Sequence, residues 1–217
     1  MRVTEWFDLF VRQILQTNMI QWVILVAGVS EVLLARANHV GLYAAGLIAS
    51  LLSIYSLYTA QLYAECILSM YYVVMSIYGW WFWGRKKDRL PVAVTFTTRR
   101  EWLTVAVITF GGWAFFYVLL TFVAPFYFKF FVRSDVPAWD SWVSASAWAG
   151  TWLLARRKVE NWLVLNVSNA FAIPLLIQKQ LPLMAVLTLF LFIVACFGYF
   201  DWRKLVLKSA GSSNVAV

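Results

Sequence analysis

The chain has 217 residues, of which 63% are hydrophobic and only 13% are charged. A soluble domain is about half apolar and about a quarter charged, so this composition, with a mean hydropathy of +0.74, excludes a water-soluble fold and predicts an all-α integral membrane protein. The net charge of +8 lies in short segments between apolar runs, where basic residues set membrane topology, so it does not indicate a nucleic-acid partner.

The N-terminal segment, residues 1–19, is less apolar than the chain as a whole. Trp6, Leu9, Phe10 and Ile14 recur in it at helical spacing. This pattern is typical of a short helix that lies in the membrane interface, and we expect one here.

Seven apolar runs come after this segment, each about long enough to cross roughly 30 Å of hydrocarbon as a helix. They predict a single transmembrane domain over residues 20–203, followed by a cytoplasmic tail over residues 204–217. The Phe-rich stretch between the fourth and fifth runs fits either an interfacial or a re-entrant segment. The predicted helices are Ile20 to Ala35, Val40 to Tyr58, Gln61 to Trp83, Trp102 to Val123, Trp139 to Ala155, Asn161 to Gln178 and Pro182 to Trp202.

The distribution of Lys and Arg over the connecting segments predicts the orientation. With seven spans, thirteen of these residues fall on one side of the membrane and five on the other. Because basic residues concentrate in cytoplasmic loops, the bias places the N-terminus outside and the C-terminus in the cytoplasm.

An internal repeat is visible at a spacing of 119 residues. The pattern Gly-x-x-x-Trp occurs at Gly79 and again at Gly198, and the same spacing relates Tyr43 to Trp162. The first and fifth predicted helices also both end in Ala-Arg. We therefore predict a 3+1+3 arrangement, with repeat one at 20–84, a linker helix at 102–123 and a parallel repeat two at 139–203.

The third predicted helix carries a polar stripe. At 100° per residue, its polar side chains fall within an arc of roughly 80°, so we expect them to face the interior of the bundle. They either line a pathway or bond neighbouring helices, and the cost of an ionisable residue in a span favours the pathway. The stripe consists of Gln61, Glu65, Ser69, Tyr72 and Ser76.

The sixth predicted helix places Trp162, Asn166 and Asn169 within roughly 60° on one face. Carboxamides suit hydroxyl or amide groups of a neutral polar ligand, and the indole offers a flat surface for a ring. Asparagines that only join helices are the alternative. The matching face of the second helix has Ser50 where the sixth has Asn169, so we expect the two halves to line a central cavity unequally.

Charge and chemistry narrow the ligand class. The predicted bundle contains aromatic and acidic residues, including Glu31 in the first helix and Asp140 at the start of the fifth, and no basic residue. This favours a cationic or neutral ring over an anion. His39 is the only histidine, and the chain has neither a catalytic set, nor a metal-ligand cluster, nor a P-loop, so we expect no enzyme activity and no cofactor.

The 119-residue repeat and three short motifs resemble those of the PnuC family of bacterial vitamin transporters. The resemblance runs from about Ile20 to Lys204. It implies a fold like that of full-length SWEET transporters, a homotrimer in the bacterial inner membrane, and facilitated diffusion of nicotinamide riboside that cytoplasmic phosphorylation then traps. It also implies that Trp162, Asn166 and Asn169 bind substrate. The motifs are Leu62-Tyr63-Ala64-Glu65, Tyr78-Gly79-Trp80 to Trp83, and Trp162 to Asn169.

From the same resemblance, Gln61, Tyr63 and Glu65 are expected only to lie near the pathway. Relatives in the family carry thiamine or riboflavin, and thiamine, like nicotinamide riboside, is a cationic aromatic with a polar tail. A sugar carrier of the same fold and a non-transporting membrane protein are the alternatives from other functional classes.

Overall fold

The computed structural model describes residues 3–59, 63–87, 90–127 and 135–213. The regular secondary structure of this part is helical apart from two strands of two residues each, β1 (Lys86–Lys87) and β2 (Leu90–Pro91), which pair antiparallel. The helices are α1 Val3–Gln16, α2 Met19–Arg36, α3 Leu42–Thr59, α4 Tyr63–Gly84, α5 Arg99–Tyr127, α6 Pro137–Ala155, α7 Asn161–Gln178 and α8 Pro182–Ser213.

Local signals in the sequence explain where these helices begin. Asn18 caps α2 in a capping box, with its Oδ1 accepting from the backbone N–H of Gln21 at 2.8 Å while Gln21 Oε1 accepts from the N–H of Asn18 at 3.1 Å. Thr98 and Glu101 form the same box at the start of α5. Pro137 occupies the first turn of α6, where its missing N–H removes no hydrogen bond.

Five of these helices are long and apolar enough to cross a membrane: α2, α3, α5, α7 and α8. The prediction of an all-helical, multi-pass membrane protein is therefore confirmed. Two helices extend well beyond their predicted bounds. The linker helix α5 is longer, at Arg99–Tyr127, and contains π-helical turns at Val107–Gly111 and Leu119–Val123. Helix α8 continues past Trp202 to Ser213, because Arg203–Ala210 contains good helix formers and no Gly or Pro.

The N-terminal segment forms helix α1, which is joined to the rest of the protein by Gln13, and its position in the membrane interface stays a prediction. Its Nε2 donates to the carbonyl of Gln180 at 3.0 Å, and its Oε1 accepts from the N–H of Leu183 at 3.1 Å. One side chain thus ties α1 to the turn between α7 and α8. The Phe-rich stretch is helical as far as Tyr127, and residues 128–134 lie outside the described part.

Two groups of three helices, unit one (α2–α4) and unit two (α6–α8), pack against each other. In unit one, α3 packs against both α2 and α4, and in unit two, α7 packs against both α6 and α8. Between the units, α4 packs against α6 and α8 packs against α2, while α5 packs along α6. Each unit therefore presents its first and third helices to the other unit.

One end of the bundle is closed by four aromatic side chains, Tyr43, Trp83, Trp162 and Trp202, which we call the tryptophan layer. Trp83 meets Tyr43 edge-on at 5.2 Å between ring centroids, and Trp202 meets Trp162 edge-on at 5.6 Å. The two third-helix tryptophans are 6.0 Å apart. All four are buried, so the layer seals this end.

The same layer joins the units by two reciprocal hydrogen bonds. Trp83 Nε1, in unit one, donates to the carbonyl of Ala155 in unit two at 3.2 Å. Trp202 Nε1, in unit two, donates to the carbonyl of Ala35 in unit one at 3.0 Å. The two alanines belong to the Ala-Arg pairs, and the two tryptophans belong to the Gly-x-x-x-Trp patterns. In each hydrogen bond, therefore, one repeated motif contacts the other across the interface between the units.

Candidate functional site

A cavity of about 360 Å³ lies between the two units. All three helices of each unit contribute to its lining, and Trp162 of the tryptophan layer is part of the wall. The cavity is therefore a product of the packing between units and belongs to neither unit alone.

Many residues that line the cavity occupy corresponding positions in the two units. Five pairs of lining residues are separated by the same 119 positions that relate the sequence motifs. The cavity consequently lies where corresponding faces of the two units meet. The pairs are Val32 and Thr151, Ala35 and Leu154, Ser50 and Asn169, Tyr72 and Leu191, and Ser76 and Ala195.

Corresponding positions nevertheless carry different chemistry. Unit one contributes Ser76 and Tyr72 where unit two contributes Ala195 and Leu191. In the opposite sense, unit two contributes the carboxamide of Asn169 where unit one has the smaller hydroxyl of Ser50. A ligand in this cavity would meet unlike groups on its two sides.

Glu31 of α2 is the charged residue in the lining. A Cβ atom placed on Gly46 of α3 would lie 2.7 Å from Glu31 Oε1, so the carboxylate lies directly over the glycine backbone. Among the described residues, Glu31 has no ion-pair or hydrogen-bond partner, and none of the described lining residues is Lys, Arg or His. An unpaired carboxylate within a span is costly and indicates function.

Trp162 provides a second polar group without a partner. The side chain is fully buried, and its Nε1–H finds no acceptor within the described part of the chain. Gly198 makes room for the ring, because a Cβ there would lie 2.6 Å from Trp162 Cε2. A buried indole N–H normally has a partner, so an oxygen of a bound molecule would satisfy it.

The structure separates the three residues predicted on the sixth helix. Trp162 and Asn169 line the cavity, and Asn169 has no hydrogen-bond partner among the described residues. Asn166 is not in the lining; its Nδ2 donates to Cys196 Sγ at 3.3 Å, and its Oδ1 is buried without a partner in the described part. A role for Asn166 in binding stays a prediction.

The polar stripe on α4 reaches the cavity through Ser69, Tyr72 and Ser76, all three of which are in the lining. Gln61 lies outside the described residues. Tyr63 and Glu65 belong to α4, but their side chains lie outside the described part. The expectation that these three residues lie near the pathway stays a prediction.

Glu31 and Thr151 line the cavity but are not among the predicted binding residues. The signal for Glu31 was present, because it is the single acidic residue of an otherwise apolar predicted span. Thr151 gave no such signal, since its hydroxyl bonds the carbonyl of Ala147 within its own helix, as is usual for a threonine in a span.

A basic residue, Arg157, lies on the far side of the tryptophan layer from the cavity. Arg157 lies over the Trp83 ring at 4.1 Å from its centroid, donates to Asn38 Oδ1 at 2.8 Å and also donates to the carbonyl of Val92. Burial lowers the pKa of Arg157 from its usual value. The layer thus separates this cation from the cavity.

Comparison with known proteins places the chain in a family. The family described as "Nicotinamide mononucleotide transporter" matches residues 18–204. The nicotinamide riboside transporters PnuC of Escherichia coli (strain K12) and Shigella flexneri are each 26% identical over 208 aligned residues, which cover 82% of this chain and 82% of each relative.

The fold also has a solved counterpart. A structure described as "Crystal structure of the Vitamin B3 transporter PnuC" superposes with a TM-score of 0.68 at 22% sequence identity, covering 94% of this chain and 88% of that chain. The family match extends over most of the sequence. The chain therefore belongs to the nicotinamide mononucleotide transporter family and is a membrane transporter rather than an enzyme.

Proposed function

We propose that the protein carries nicotinamide riboside across the bacterial cytoplasmic membrane and binds it in the cavity between the two units. The observation that carries this proposal is the lining itself, in which one carboxylate, hydroxyls, a carboxamide and aromatic rings meet no basic residue among those described. Nicotinamide riboside combines a cationic aromatic ring with a polar ribose and a carboxamide, and each of these groups has a complement in the lining.

The charge of the lining favours the riboside over the mononucleotide in the family's description. The mononucleotide carries a phosphate, and phosphate sites in proteins are built from Arg, Lys and helix N-termini. The described lining offers a carboxylate, Glu31, instead. Repulsion between this carboxylate and the phosphate would oppose binding of the mononucleotide.

Size gives a second argument. A volume of about 360 Å³ lies near the lower end of small-molecule pockets. Riboflavin, with its three fused rings and ribityl chain, is considerably larger than nicotinamide riboside. Thiamine is similar in size and charge to the riboside, and it is therefore the principal competing substrate.

In the bound state, the pyridinium ring lies among the aromatic side chains of the cavity, with Tyr72 on one side and Trp162 on the other. Asn169, together with Asn166, bonds the ribose or the carboxamide. The N–H of Trp162 is a further donor for a substrate oxygen. Gln61, Tyr63 and Glu65 lie along the pathway to the site.

The transport cycle follows from a parallel 3+1+3 arrangement of seven transmembrane helices, with repeat one at 20–84, the linker at 102–123 and repeat two at 139–203. The pairing of contacts at a spacing of 119 residues supports this arrangement. The N-terminus is outside, so the tryptophan layer closes the cytoplasmic end. Rocking of one unit against the other exposes the cavity alternately.

Transport is by facilitated diffusion, as the family resemblance implies, and phosphorylation in the cytoplasm retains the substrate. The assembly is a homotrimer with a fold like that of full-length SWEET transporters, as the family resemblance implies.

Titration calorimetry of the purified protein with nicotinamide riboside, thiamine, riboflavin and ribose tests the proposal. We expect micromolar binding of nicotinamide riboside, weakened at least about tenfold by Asn169→Ala because a hydrogen bond in a desolvated site is lost. Thr188→Ala is the control, since this half-buried hydroxyl of α8 lies outside the cavity lining and donates to the carbonyl of Met184 in its own helix.

The other outcomes distinguish the alternatives. Preferential binding of thiamine would make it the substrate, and binding of ribose at comparable affinity would indicate a sugar carrier. If the folded protein bound none of the four compounds, the proposal would be rejected in favour of a non-transporting membrane protein.

A further inference from the structure

We infer that Glu31 selects the substrate by the positive charge of its ring, so that the protein distinguishes the oxidised, cationic nicotinamide riboside from its reduced, neutral dihydro form. This inference rests on the proposed function and adds to it the residue and the physical basis of selection. The two forms of the riboside have nearly the same shape, so shape complementarity alone separates them poorly.

Three helices position the Glu31 carboxylate. Glu31 projects from α2, Gly46 of α3 leaves the space that the carboxylate occupies, and Ser76 of α4 lies alongside. A Cβ on Gly46 would lie 2.7 Å from Glu31 Oε1 and 3.1 Å from Ser76 Oγ, so both side chains converge on the same point above the glycine. The carboxylate therefore occupies the space that Gly46 leaves in the wall.

The charged groups near these helices do not neutralise Glu31. Arg36, at the end of the same helix, pairs with Asp201 at 2.8 Å. Arg157 faces Asn38 and Trp83 on the far side of the tryptophan layer. Among the described residues that line the cavity, no cation is present, so a cationic ligand would supply the counter-charge.

The corresponding place in unit two has no charge. The position 119 residues after Glu31 is Gly150, and the position 119 residues after Gly46 is Leu165. A Cβ on Gly150 would lie 2.6 Å from Leu165 Cγ, so the same contact recurs with the large and small residues exchanged and an isobutyl group in place of the carboxylate. The cationic end of the ligand consequently faces unit one.

Burying a carboxylate without a counter-charge is unfavourable, and a ligand that brings a positive charge relieves that cost. A neutral ring of the same shape relieves none of it. The relief of this cost therefore appears as a ratio between the affinities for the cationic and the neutral riboside. The contacts of the ribose and the carboxamide contribute equally to both affinities and cancel in the ratio.

The test compares the affinities of the two riboside forms for the wild-type protein, Glu31→Gln and a control. We expect the wild-type protein to bind the cationic form about 30-fold more tightly, in line with losing one partner of a desolvated charge pair, and Glu31→Gln to reduce this ratio below about threefold. Asp140→Asn is the matched control, because Asp140 is an acidic residue at the other end of the cavity's helices that pairs with Lys179 outside the lining.

The outcomes separate the inference from the proposed function. A wild-type protein that binds both forms equally, or a folded Glu31→Gln protein that keeps the 30-fold ratio, overturns charge selection but leaves riboside transport standing. A wild-type protein that binds neither form overturns both. If Glu31→Gln fails to fold, Gly46→Ala replaces it: displacing the carboxylate is expected to lower the ratio at least about threefold, and an unchanged ratio overturns the inference.

Discussion

Unit one (α2–α4) and unit two (α6–α8) agree at the tryptophan layer and differ at the cavity. In the layer, Gly79 packs against the Tyr43 ring and Gly198 against the Trp162 ring, and each third-helix tryptophan reaches across to the other unit. In the cavity, corresponding residues change from hydroxyl to carboxamide and from phenol to isobutyl.

The difference separates two kinds of constraint. In the layer, an aromatic ring lies in contact with a glycine in each unit, so substitutions on either side create a clash or a void. The cavity wall is not filled by protein, so its residues are free to diverge toward the two ends of an asymmetric ligand. A repeated scaffold thus carries an unrepeated site.

The largest expected effect comes from breaking the repeated contact. Gly198→Ala places a methyl group 2.6 Å from Trp162 Cε2, and Gly79→Ala places one against the Tyr43 ring. Because rings in a packed layer cannot move freely, we expect each variant to lose about 1–3 kcal/mol of stability. Thermal unfolding in detergent measures the loss, with Gly28→Ala as the control because open space surrounds that position. An unchanged unfolding temperature would contradict the account of the layer.

A smaller effect is expected from making the cavity more symmetric. Asn169→Ser copies into unit two the residue that unit one has at position 50. We expect it to weaken riboside binding about tenfold, the equivalent of one hydrogen bond in a desolvated site, whereas Ser50→Ala changes it less than about threefold because the Ser50 hydroxyl already donates to the carbonyl of Gly46 at 2.7 Å. Equal losses in the two variants would show that both units contribute alike.

The smallest effect concerns a difference at the rim of the layer. In unit two, Asp201 pairs with Arg36 of unit one. The corresponding residue of unit one, 119 positions before Asp201, is Phe82, whose ring lies 5.5 Å from Arg156 Cζ of unit two. The pair between Arg36 and Asp201 is partly exposed, so Asp201→Asn should cost less than about 1 kcal/mol, and the loss should shrink at high salt. Thermal unfolding at low and high ionic strength checks this. A salt-independent loss would mean that Asp201 acts through packing.

The sequence predicted the repeat that the layer follows, but it did not predict the contacts within the layer. The pattern Gly-x-x-x-Trp is visible in both halves, and the same spacing relates Tyr43 to Trp162. The contacts of Gly79 with Tyr43 and of Trp83 with Ala155 join different helices, so the spacing within one segment does not encode them. The polar stripe on α4 was also readable, since Ser69, Tyr72 and Ser76 lie on one helical face.

The positions of the other site residues could not be predicted, because they depend on which helix packs against each helical face. Asn166 and Asn169 share a face, yet the first contacts Cys196 of α8 and the second reaches the cavity, a division set by how α8 packs on α7. The place of Glu31 likewise depends on the approach of α3 at Gly46. Neither helix pairing is encoded in the periodicity of a single segment.

The most direct test of the account is an experimental structure of the protein with nicotinamide riboside bound. We predict one ligand in the cavity between the units, in a single orientation, with the pyridinium ring facing Glu31 and a polar substituent bonded to Asn169. A ligand bound elsewhere, or bound in two orientations related by the symmetry of the units, would contradict the claim that a repeated scaffold carries an asymmetric site.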